Sequence, residues 1–192
     1  MKIILNNICK SYDGRKVLDN FCYEFIPGKP VVIEGESGIG KTTLLRIITG
    51  LEKPDSGEII FEGISRESVR FAPVFQEIRL IDKLDAVSNV KLAAREVSDD
   101  DIYSNLNSLI PSEELRKKVR DLSGGTRRRV EIVRACLSPS DVLIMDEPLT
   151  GLDDDNAAYA VNYIRSSIGE RIFIASSHSP LFEEFCDIIQ LK

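Results

Sequence analysis

The sequence predicts an α/β fold that combines a mostly parallel sheet, an antiparallel β subdomain at the amino-terminal end and an inserted α-helical subdomain. Two observations carry this prediction. Short apolar, β-branched runs at residues 30–33, 141–147 and 171–175 are typical of parallel strands buried on both faces. Residues 77–121 instead contain amphipathic helical patterns. We therefore expect one domain over residues 1–192, with residues 77–121 as a helical insertion within it.

The first predicted element is an antiparallel pair of strands at residues 2–5 and 17–26. Both segments are strand-like, and they flank a turn-rich connection at residues 11–15. Tyr12 lies in that connection. A tyrosine in a polar loop is usually only a surface aromatic, whereas one beside a nucleotide site can stack on adenine without reading the base edge. The residues alone leave both interpretations of Tyr12 open.

The next element is a strand at residues 30–33 that a glycine-rich turn joins to a helix. Residues 35–43 read GESGIGKTT and fit the pattern G-x-x-x-x-G-K-[ST], in the strand and helix context that a phosphate-binding loop requires. Lys41 is expected at the β and γ phosphates, and the Thr42 hydroxyl at Mg²⁺. The motif predicts a P-loop NTPase core. The predicted nucleotide-binding residues of this loop are Gly35, Ser37, Gly38, Ile39, Gly40, Lys41, Thr42 and Thr43.

Two short strands follow the loop, at residues 58–61 and 69–75, and Gln76 ends the second of them. Pro73 has no N–H to donate to a ladder, so it predicts that this strand lies at an edge or contains a bulge. The helical insertion then begins. Its predicted helices cover residues 88–97, 102–110 and 112–119.

The next two predicted elements, a helix and a strand, carry charged residues at positions that favour ligand binding. The glycines of residues 123–125 open a helix that carries four arginines, which favours anion binding at its amino-terminal end. The strand at 141–147 delivers Asp146 and Glu147 to its carboxyl end, where ligands of open α/β sheets bind. A solvated strand end would show the same pattern. As a site, Asp146 would hold Mg²⁺ together with Thr42, and Glu147 would polarise the attacking water.

His178 is the only histidine of the chain. A lone histidine is more often structural than catalytic, but this one follows a buried strand, at the sheet edge expected to carry Gln76 and Asp146. The remaining predicted elements are a helix at residues 156–167 and strands at residues 171–175 and 187–191.

Composition narrows the class of partner. The net charge of −6 and the brevity of the basic run at residues 127–129 disfavour nucleic acid. The four cysteines lack C-x-x-C spacing and stand among apolar residues, so we interpret them as reduced and structural. The apolar run at residues 2–5 is too short for a signal peptide, and no run is long enough to span a bilayer. We expect a cytoplasmic location and a membrane role only through a partner.

Taken together and in this order, the motifs resemble those of the ATP-binding cassette (ABC) ATPases, over nearly the whole chain. The matching positions are Tyr12, residues 35–43, Gln76, residues 122–125 (LSGG), residues 142–147, residues 150–153 and His178. The resemblance implies ATP and Mg²⁺ as ligands. It also implies that Tyr12 stacks on adenine, that Gln76 senses Mg²⁺ and the water, that Glu147 is the catalytic base, and that His178 contacts the γ phosphate.

The resemblance also implies an assembly. Members of the family work as head-to-tail pairs, in which Ser123, Gly124 and Gly125 of one subunit close on the ATP of the other. Asp153 belongs to the same implied nucleotide-binding set. The implied function is ATP hydrolysis that energises solute transport through a separate membrane permease, by a homodimer or paired cassette peripheral on the cytoplasmic face. Residues 74–81, followed by residues 87–90, look like those of the importer branch that handles nitrate, sulfonates, taurine and related small solutes.

Four positions depart from the family pattern. Thr126 replaces glutamine or methionine, Arg128 replaces a common glutamine, Ser179 stands where aspartate is usual, and Pro73 is unusual before Gln76. None of these removes a phosphate or Mg²⁺ group, so we expect activity to survive.

Other functions remain as alternatives. A DNA- or ribosome-associated ABC ATPase would normally need coiled-coil arms or tandem cassettes, and an export or release ATPase would share the motifs. A small-molecule P-loop kinase gives no reason for the LSGG sequence. For the transporter subunit, Leu80, Ile81 and Leu84 are expected to form an exposed groove that docks the permease.

Overall fold

Two sheets and five α-helices form within residues 1–191, the part of the chain that the computed structural model describes. The strands are β1 (Lys2–Tyr12), β2 (Arg15–Phe25), β3 (Val31–Glu34), β4 (Ser56–Glu62), β5 (Phe71–Val74), β6 (Val142–Asp146), β7 (Ile172–Ser176) and β8 (Asp187–Gln190). The helices are α1 (Lys41–Thr49), α2 (Ala86–Ala93), α3 (Asp99–Asn107), α4 (Gly124–Leu137) and α5 (Asp154–Ser167). The predicted α/β fold class is confirmed.

The amino-terminal strands β1 and β2 form an antiparallel sheet with β4, in the strand order β2-β1-β4. Its inward side chains include Ile3 and Phe25, which are almost fully buried. Strand β1 is longer than predicted, because it continues through register shifts on either side of Ile8. Asn7 and Asn20 have a φ of 50° there, a conformation that asparagine adopts more readily than most residues. The register shifts therefore allow β1 to continue across its polar residues instead of ending at them.

A parallel sheet with the order β5-β6-β7-β3-β8 forms the centre of the molecule. Strands β6 and β7 are buried along their whole length, as their apolar runs predict. Strand β5 lies at an edge, which confirms the prediction made from Pro73. Because the strands run parallel, the carboxyl ends of β3, β5, β6 and β7 share one side of the sheet, and the loops with the predicted site residues leave from that side.

Alternate residues of β6 face two apolar cores on opposite faces of this sheet. Leu143 and Met145 belong to the core that includes residues of α2 to α5. Val142 and Ile144 belong to the core that includes α1 and the antiparallel sheet. Within residues 1–191, no helix has the length and apolar character needed to cross a membrane.

The helical insertion contains two α-helices, and the third predicted helix, at residues 112–119, is wrong. That segment has only short 3-10 turns, with Lys118 in an extended conformation. Lys118 pairs with Asp85 in an antiparallel bridge, and the Val119 N–H donates to the Leu84 carbonyl at 2.8 Å. These contacts with the segment before α2 use backbone groups that a helix would otherwise have paired internally, so tertiary contact overrides local propensity.

The four cysteines are free thiols, but their surroundings differ. Cys136 and Cys186 are buried, and burial raises the pKa of each thiol to about 12. Cys9 is instead half-buried and Cys22 is exposed, and each sulfur accepts a hydrogen bond from the backbone N–H of an asparagine. The apolar setting predicted for all four is therefore wrong for Cys9 and Cys22.

Candidate nucleotide-binding site

A cleft of about 570 Å³ lies at the carboxyl edge of the parallel sheet. Most of the predicted site residues line it: Tyr12, Ser37, Gly38, Gly40, Lys41, Thr42, Thr43, Gln76, Asp146, Glu147 and His178. Val17 and Thr150, for which the sequence predicted no role, line it as well. The predicted residues outside the lining are Gly35, Ile39, Ser123, Gly124, Gly125 and Asp153.

The loop between β3 and α1 requires glycine at two positions. Gly35 has a φ of 148°, and a Cβ added to it would stand 2.8 Å from the Leu191 carbonyl oxygen. Gly40 has a φ of 123°, and its Cβ would stand 2.7 Å from the Val17 carbonyl oxygen. The first hydrogen bond of α1 is donated by the Leu44 N–H to the Gly40 carbonyl. The amides before Leu44 therefore lie at the amino-terminal end of the helix, where anions bind.

Lys41 folds back over this loop and is almost fully buried, with 7% of its surface exposed. Its ammonium donates to the Gly35 carbonyl at 2.6 Å and to the Glu36 carbonyl at 3.3 Å. It also lies 2.9 Å from His178 Nε2 and 3.8 Å from a carboxylate oxygen of Glu147. One cation is thus fixed at the centre of the cleft by the loop on one side and by His178 and Glu147 on the other.

The two acids at the end of β6 have different settings. Asp146 is buried, and its carboxylate accepts a hydrogen bond from the Ser176 hydroxyl at 2.6 Å. Glu147 has a φ of 48°, outside the region that non-glycine residues normally occupy. Its N–H donates to the Ser176 hydroxyl oxygen at 3.0 Å, and its carboxylate lies 3.5 Å from His178 Nε2. Nothing in the local sequence singled out Ser176, because it reads as the end of a buried strand.

Tyr12 lines the cleft with its side chain 43% exposed. Its hydroxyl donates a short hydrogen bond to Glu52, and Lys10 forms an ion pair with Glu52 at 3.2 Å. Burial and the bond to Glu52 raise the pKa of Tyr12, and the same bond is the main cause of the lowered pKa of Glu52. Nothing in the sequence pointed to Glu52, since only the folded chain brings it next to Tyr12.

Ser123 and Gly124 are exposed at the start of α4 and do not line the cleft. The Ser123 hydroxyl caps the helix by accepting from the Thr126 N–H at 3.1 Å, and it lies 2.9 Å from the Thr126 hydroxyl. Thr126 is buried and donates its hydroxyl to Glu114 at 3.0 Å. Gly125 packs on the next loop, since an added Cβ would stand 3.1 Å from the Gly151 carbonyl oxygen.

Asp153 caps α5 and lies outside the cleft lining. Its carboxylate accepts from the Asn156 N–H at 2.9 Å, which is the main cause of its lowered pKa. Asn156 in turn accepts from Arg129 at 2.7 Å. Arg128, Arg129 and Arg134, three of the four arginines of α4, thus bond within the chain rather than pointing together at an anion.

Among the described residues 1–191, Ser179, which departs from the family pattern beside His178, bonds only with its own turn. Its N–H donates to the Ser177 hydroxyl at 3.1 Å, and its hydroxyl accepts from the Leu181 N–H at 3.4 Å. The His178 ring is therefore held by Lys41 and Glu147 rather than by the residue that follows it.

A glycine-rich loop between a buried strand and a helix, with a lysine folded over it and a buried aspartate at the end of a neighbouring strand, defines a P-loop nucleotide-binding domain. Comparison with known families narrows the class. Residues 18–150 match the family described as ABC transporter. The chain therefore belongs to the ABC transporter family, and the resemblance given by its motifs is confirmed.

Curated relatives are import ATP-binding proteins. The chain is 34% identical over 160 residues to the spermidine/putrescine import ATP-binding protein PotA of Mesoplasma florum, covering 78% of this chain and 46% of that one. It is 36% identical over 154 residues to the aliphatic sulfonates import protein SsuB of Cupriavidus necator, covering 78% of this chain and 51% of the relative. The chain thus spans about half the length of these relatives.

Solved structures share the whole fold. A putative ABC transporter ATP-binding protein from Pyrococcus furiosus has a TM-score of 0.88 and 29% identity, with 100% of this chain and 98% of that one covered. The ATP-binding cassette MJ0796, in a dimeric post-hydrolysis state bound to ADP and Pi, has a TM-score of 0.85 and 26% identity, with coverage of 99% and 94%.

Proposed function

We propose that this chain is the ATP-binding and ATP-hydrolysing subunit of an ABC importer and energises solute transport through a separate membrane permease. One observation carries the proposal: Lys41, Glu147 and His178 meet within 4 Å of one another in a cleft that Asp146 also lines. In this proposal residues 1–192 act as one ABC ATPase domain, with residues 77–121 as its helical subdomain, and the subunit is peripheral on the cytoplasmic face.

The cleft suits a triphosphate with Mg²⁺. The loop amides and the Lys41 ammonium are donors for phosphate oxygens. Asp146, Thr42 and Gln76 supply a carboxylate, a hydroxyl and an amide oxygen, which are the hard ligands that Mg²⁺ prefers. A bound Mg²⁺ would neutralise charge on the phosphates. Tyr12 also lines the cleft, and we propose that it stacks on adenine.

Glu147 is the proposed general base. Its positive φ turns the side chain into the cleft, close to His178 and Lys41, while Asp146 stays buried at the strand end. A carboxylate beside the γ phosphate can accept the proton of an attacking water. His178 is 57% exposed on its side chain and is proposed to contact the γ phosphate from the open side of the cleft.

The site needs a second subunit. Ser123 and Gly124 open α4 outside the cleft of their own chain, with the helix amino terminus exposed. We propose that they, with Gly125 and Asp153, close on the nucleotide of a partner in a head-to-tail homodimer or paired cassette, where helix N–H groups add anion contacts.

Substitution of the base tests hydrolysis and dimerisation together. Glu147→Gln keeps the side-chain shape but removes the proton acceptor, so ATPase activity should fall by roughly 10² to 10⁴. With ATP not consumed, gel filtration with ATP and Mg²⁺ should show a dimer for Glu147→Gln and mostly monomer for the parent. Adding Ser123→Arg should restore the monomer. Glu62→Gln, on an exposed side chain, is the matched control and should behave like the parent.

The outcomes separate the parts of the proposal. A Glu147→Gln protein that hydrolyses ATP near the parent rate contradicts the base assignment. An inactive but monomeric protein contradicts the ATP-bound dimer. Phosphoryl transfer by the parent to an added small-molecule acceptor, rather than to water, would favour the kinase alternative.

The proposed permease surface differs from the groove predicted by the sequence. Leu80 packs against the apolar core, so the predicted exposure of that residue is wrong. Ile81 and Leu92 are each 49% exposed, and a cavity of about 480 Å³ lies between Leu84, Leu92 and Arg95. We propose that a cytoplasmic segment of the permease docks here, with apolar side chains on the leucines and an acidic group on Arg95.

The direction of transport rests on the relatives. PotA, SsuB and the phosphonates protein PhnC 1 of Natronomonas pharaonis are all named as import proteins, and PhnC 1 matches 94% of this chain at 31% identity over 198 residues. The solutes in their names differ, so we propose import without assigning a solute.

A further inference from the structure

Arg128 is a buried cation that bonds to the segment carrying Gln76. Only 3% of its surface is exposed. One guanidinium nitrogen donates to the Phe75 carbonyl at 2.6 Å, and the other donates to the Gln76 carbonyl. The planar fork of arginine suits this pair of acceptors, because it presents parallel donors in a fixed geometry. A helix side chain therefore holds the backbone at the residue whose side chain lines the cleft.

Two further residues of α4 hold the other end of the same segment. Glu131 is 1% exposed, pairs with Arg128 at 2.9 Å and accepts from the Arg79 N–H at 2.8 Å. Arg134 donates to the Arg79 carbonyl at 2.6 Å and lies 3.5 Å from Glu131. Burial lowers the pKa of Arg128 and raises that of Glu131. Each charge is thus expensive to bury alone, and the cluster stabilises them together.

The cluster fixes a stretch that has no secondary structure of its own. Residues 75–79 lie between β5 and α2, outside every helix and strand. Three charged side chains of α4 bond to four of its backbone atoms: the carbonyls of Phe75, Gln76 and Arg79 and the N–H of Arg79. The Arg79 guanidinium also lies 4.5 Å from the centre of the Phe75 ring. Bonds at both ends restrict where the Gln76 side chain can reach.

We propose that Arg128 is a positioning residue, which with Glu131 and Arg134 attaches the Gln76 backbone to α4 and so sets the Gln76 amide in the cleft. Since α4 begins beside Ser123, the same helix carries the surface proposed to meet the partner subunit. This inference rests on the proposed function, because it assigns Gln76 a place beside Mg²⁺ and the attacking water.

Arg128→Lys is the sharpest test, because lysine keeps the charge that Glu131 needs but loses the fork. The turnover number should fall roughly 10- to 100-fold, the size expected for a misplacement of about 1 Å near the reacting atoms. Nucleotide affinity measured without Mg²⁺ should stay within about twofold, since Gln76 does not hold the phosphates. The Mg²⁺ concentration for half-maximal activity should rise. Arg70→Lys is the matched control, since Arg70 pairs with Asp141 at 3.4 Å, before the other end of β5.

A double substitution separates positioning from general packing. In a Gln76→Ala background, Arg128→Lys should cost less than about twofold in turnover, because the group that it positions is gone. An equal loss in both backgrounds would overturn the inference, as would an Arg128→Lys protein that matches Arg70→Lys in turnover and Mg²⁺ dependence. If the parent protein hydrolyses ATP, either of these results contradicts only the positioning role of Arg128 and not the proposed function. A parent protein without ATPase activity contradicts both the positioning role and the proposed function.

Discussion

Replacement of Lys41 tests the phosphate-binding loop most directly. An ammonium has three donors, and the Gly35 and Glu36 carbonyls occupy two of them. The third faces His178 and is the one available to phosphate. Lys41→Ala therefore removes one charge-assisted bond of roughly 1.5 to 3 kcal/mol, together with the attraction between the buried cation and the remaining phosphate charge. We expect ATP affinity to fall about 100-fold, since each 1.4 kcal/mol is tenfold.

The assay is isothermal titration calorimetry with ATP and Mg²⁺, and thermal unfolding serves as the check on folding. AMP lacks the phosphates that Lys41 is proposed to contact, so its affinity should not change between the parent and Lys41→Ala. Lys29→Ala, in the turn before the other end of β3, is the control for loss of a positive charge and should bind ATP like the parent. A folded Lys41→Ala protein with ATP affinity within about threefold of the parent would refute the loop assignment.

Two further substitutions test the docking surface and an ion pair of the fold. Leu92→Asp should abolish co-purification with a permease and leave the ATPase activity of the isolated subunit unchanged, whereas Ile188→Asp, also on an exposed apolar side chain, should affect neither. Retained co-purification of Leu92→Asp would place docking elsewhere. The hydrogen bond from the Arg70 N–H is the main cause of the lowered pKa of Asp141. The ionised Asp141 therefore stabilises the fold above the usual pKa of a carboxyl group, and this contribution is lost as the pH falls through the lowered pKa. Asp141→Ala should thus lower the free energy of unfolding by about 1 kcal/mol at pH 7, with a smaller difference near pH 3, as urea titrations at both pH values would measure.

The features that the sequence predicts well are those encoded by neighbours in the chain. Residues 35–43 specify a turn, a close backbone approach and a helix start within nine positions. Each of these features requires a particular residue type, which can be recognised in the sequence. The apolar runs of β6 and β7 predict parallel strands that are buried on both faces. Asp146 and His178 stand at or just after the carboxyl ends of these strands and are therefore expected at one edge of the sheet. Parallel strand order then brings these segments together without any need to predict individual contacts.

The features that the sequence does not predict depend on distant contacts. Glu52 meets Tyr12 only because β1 continues past its polar stretch. Residues 112–119 have helical spacing, yet pairing of Lys118 with Asp85 holds their end extended. Arg128 reads as one more arginine of a basic helix, and only the fold shows its bonds to the Gln76 segment. In each case a contact more than 30 positions away in the chain decides the outcome.

One serine explains how adjacent acids at the end of β6 come to lie in different surroundings. The Ser176 hydroxyl donates a hydrogen bond to the Asp146 carboxylate, and the same hydroxyl oxygen accepts one from the Glu147 N–H. The Glu147 N–H also lies 3.1 Å from the Ser176 carbonyl. These bonds hold Glu147 in its left-handed conformation, which would otherwise cost roughly 1 to 3 kcal/mol. Asp146 is thereby kept in the buried strand end, which suits its proposed role as a metal ligand, while the chain reverses and brings Glu147 near Lys41. The strain at Glu147 is thus the means by which a single strand end presents two carboxylates in two directions.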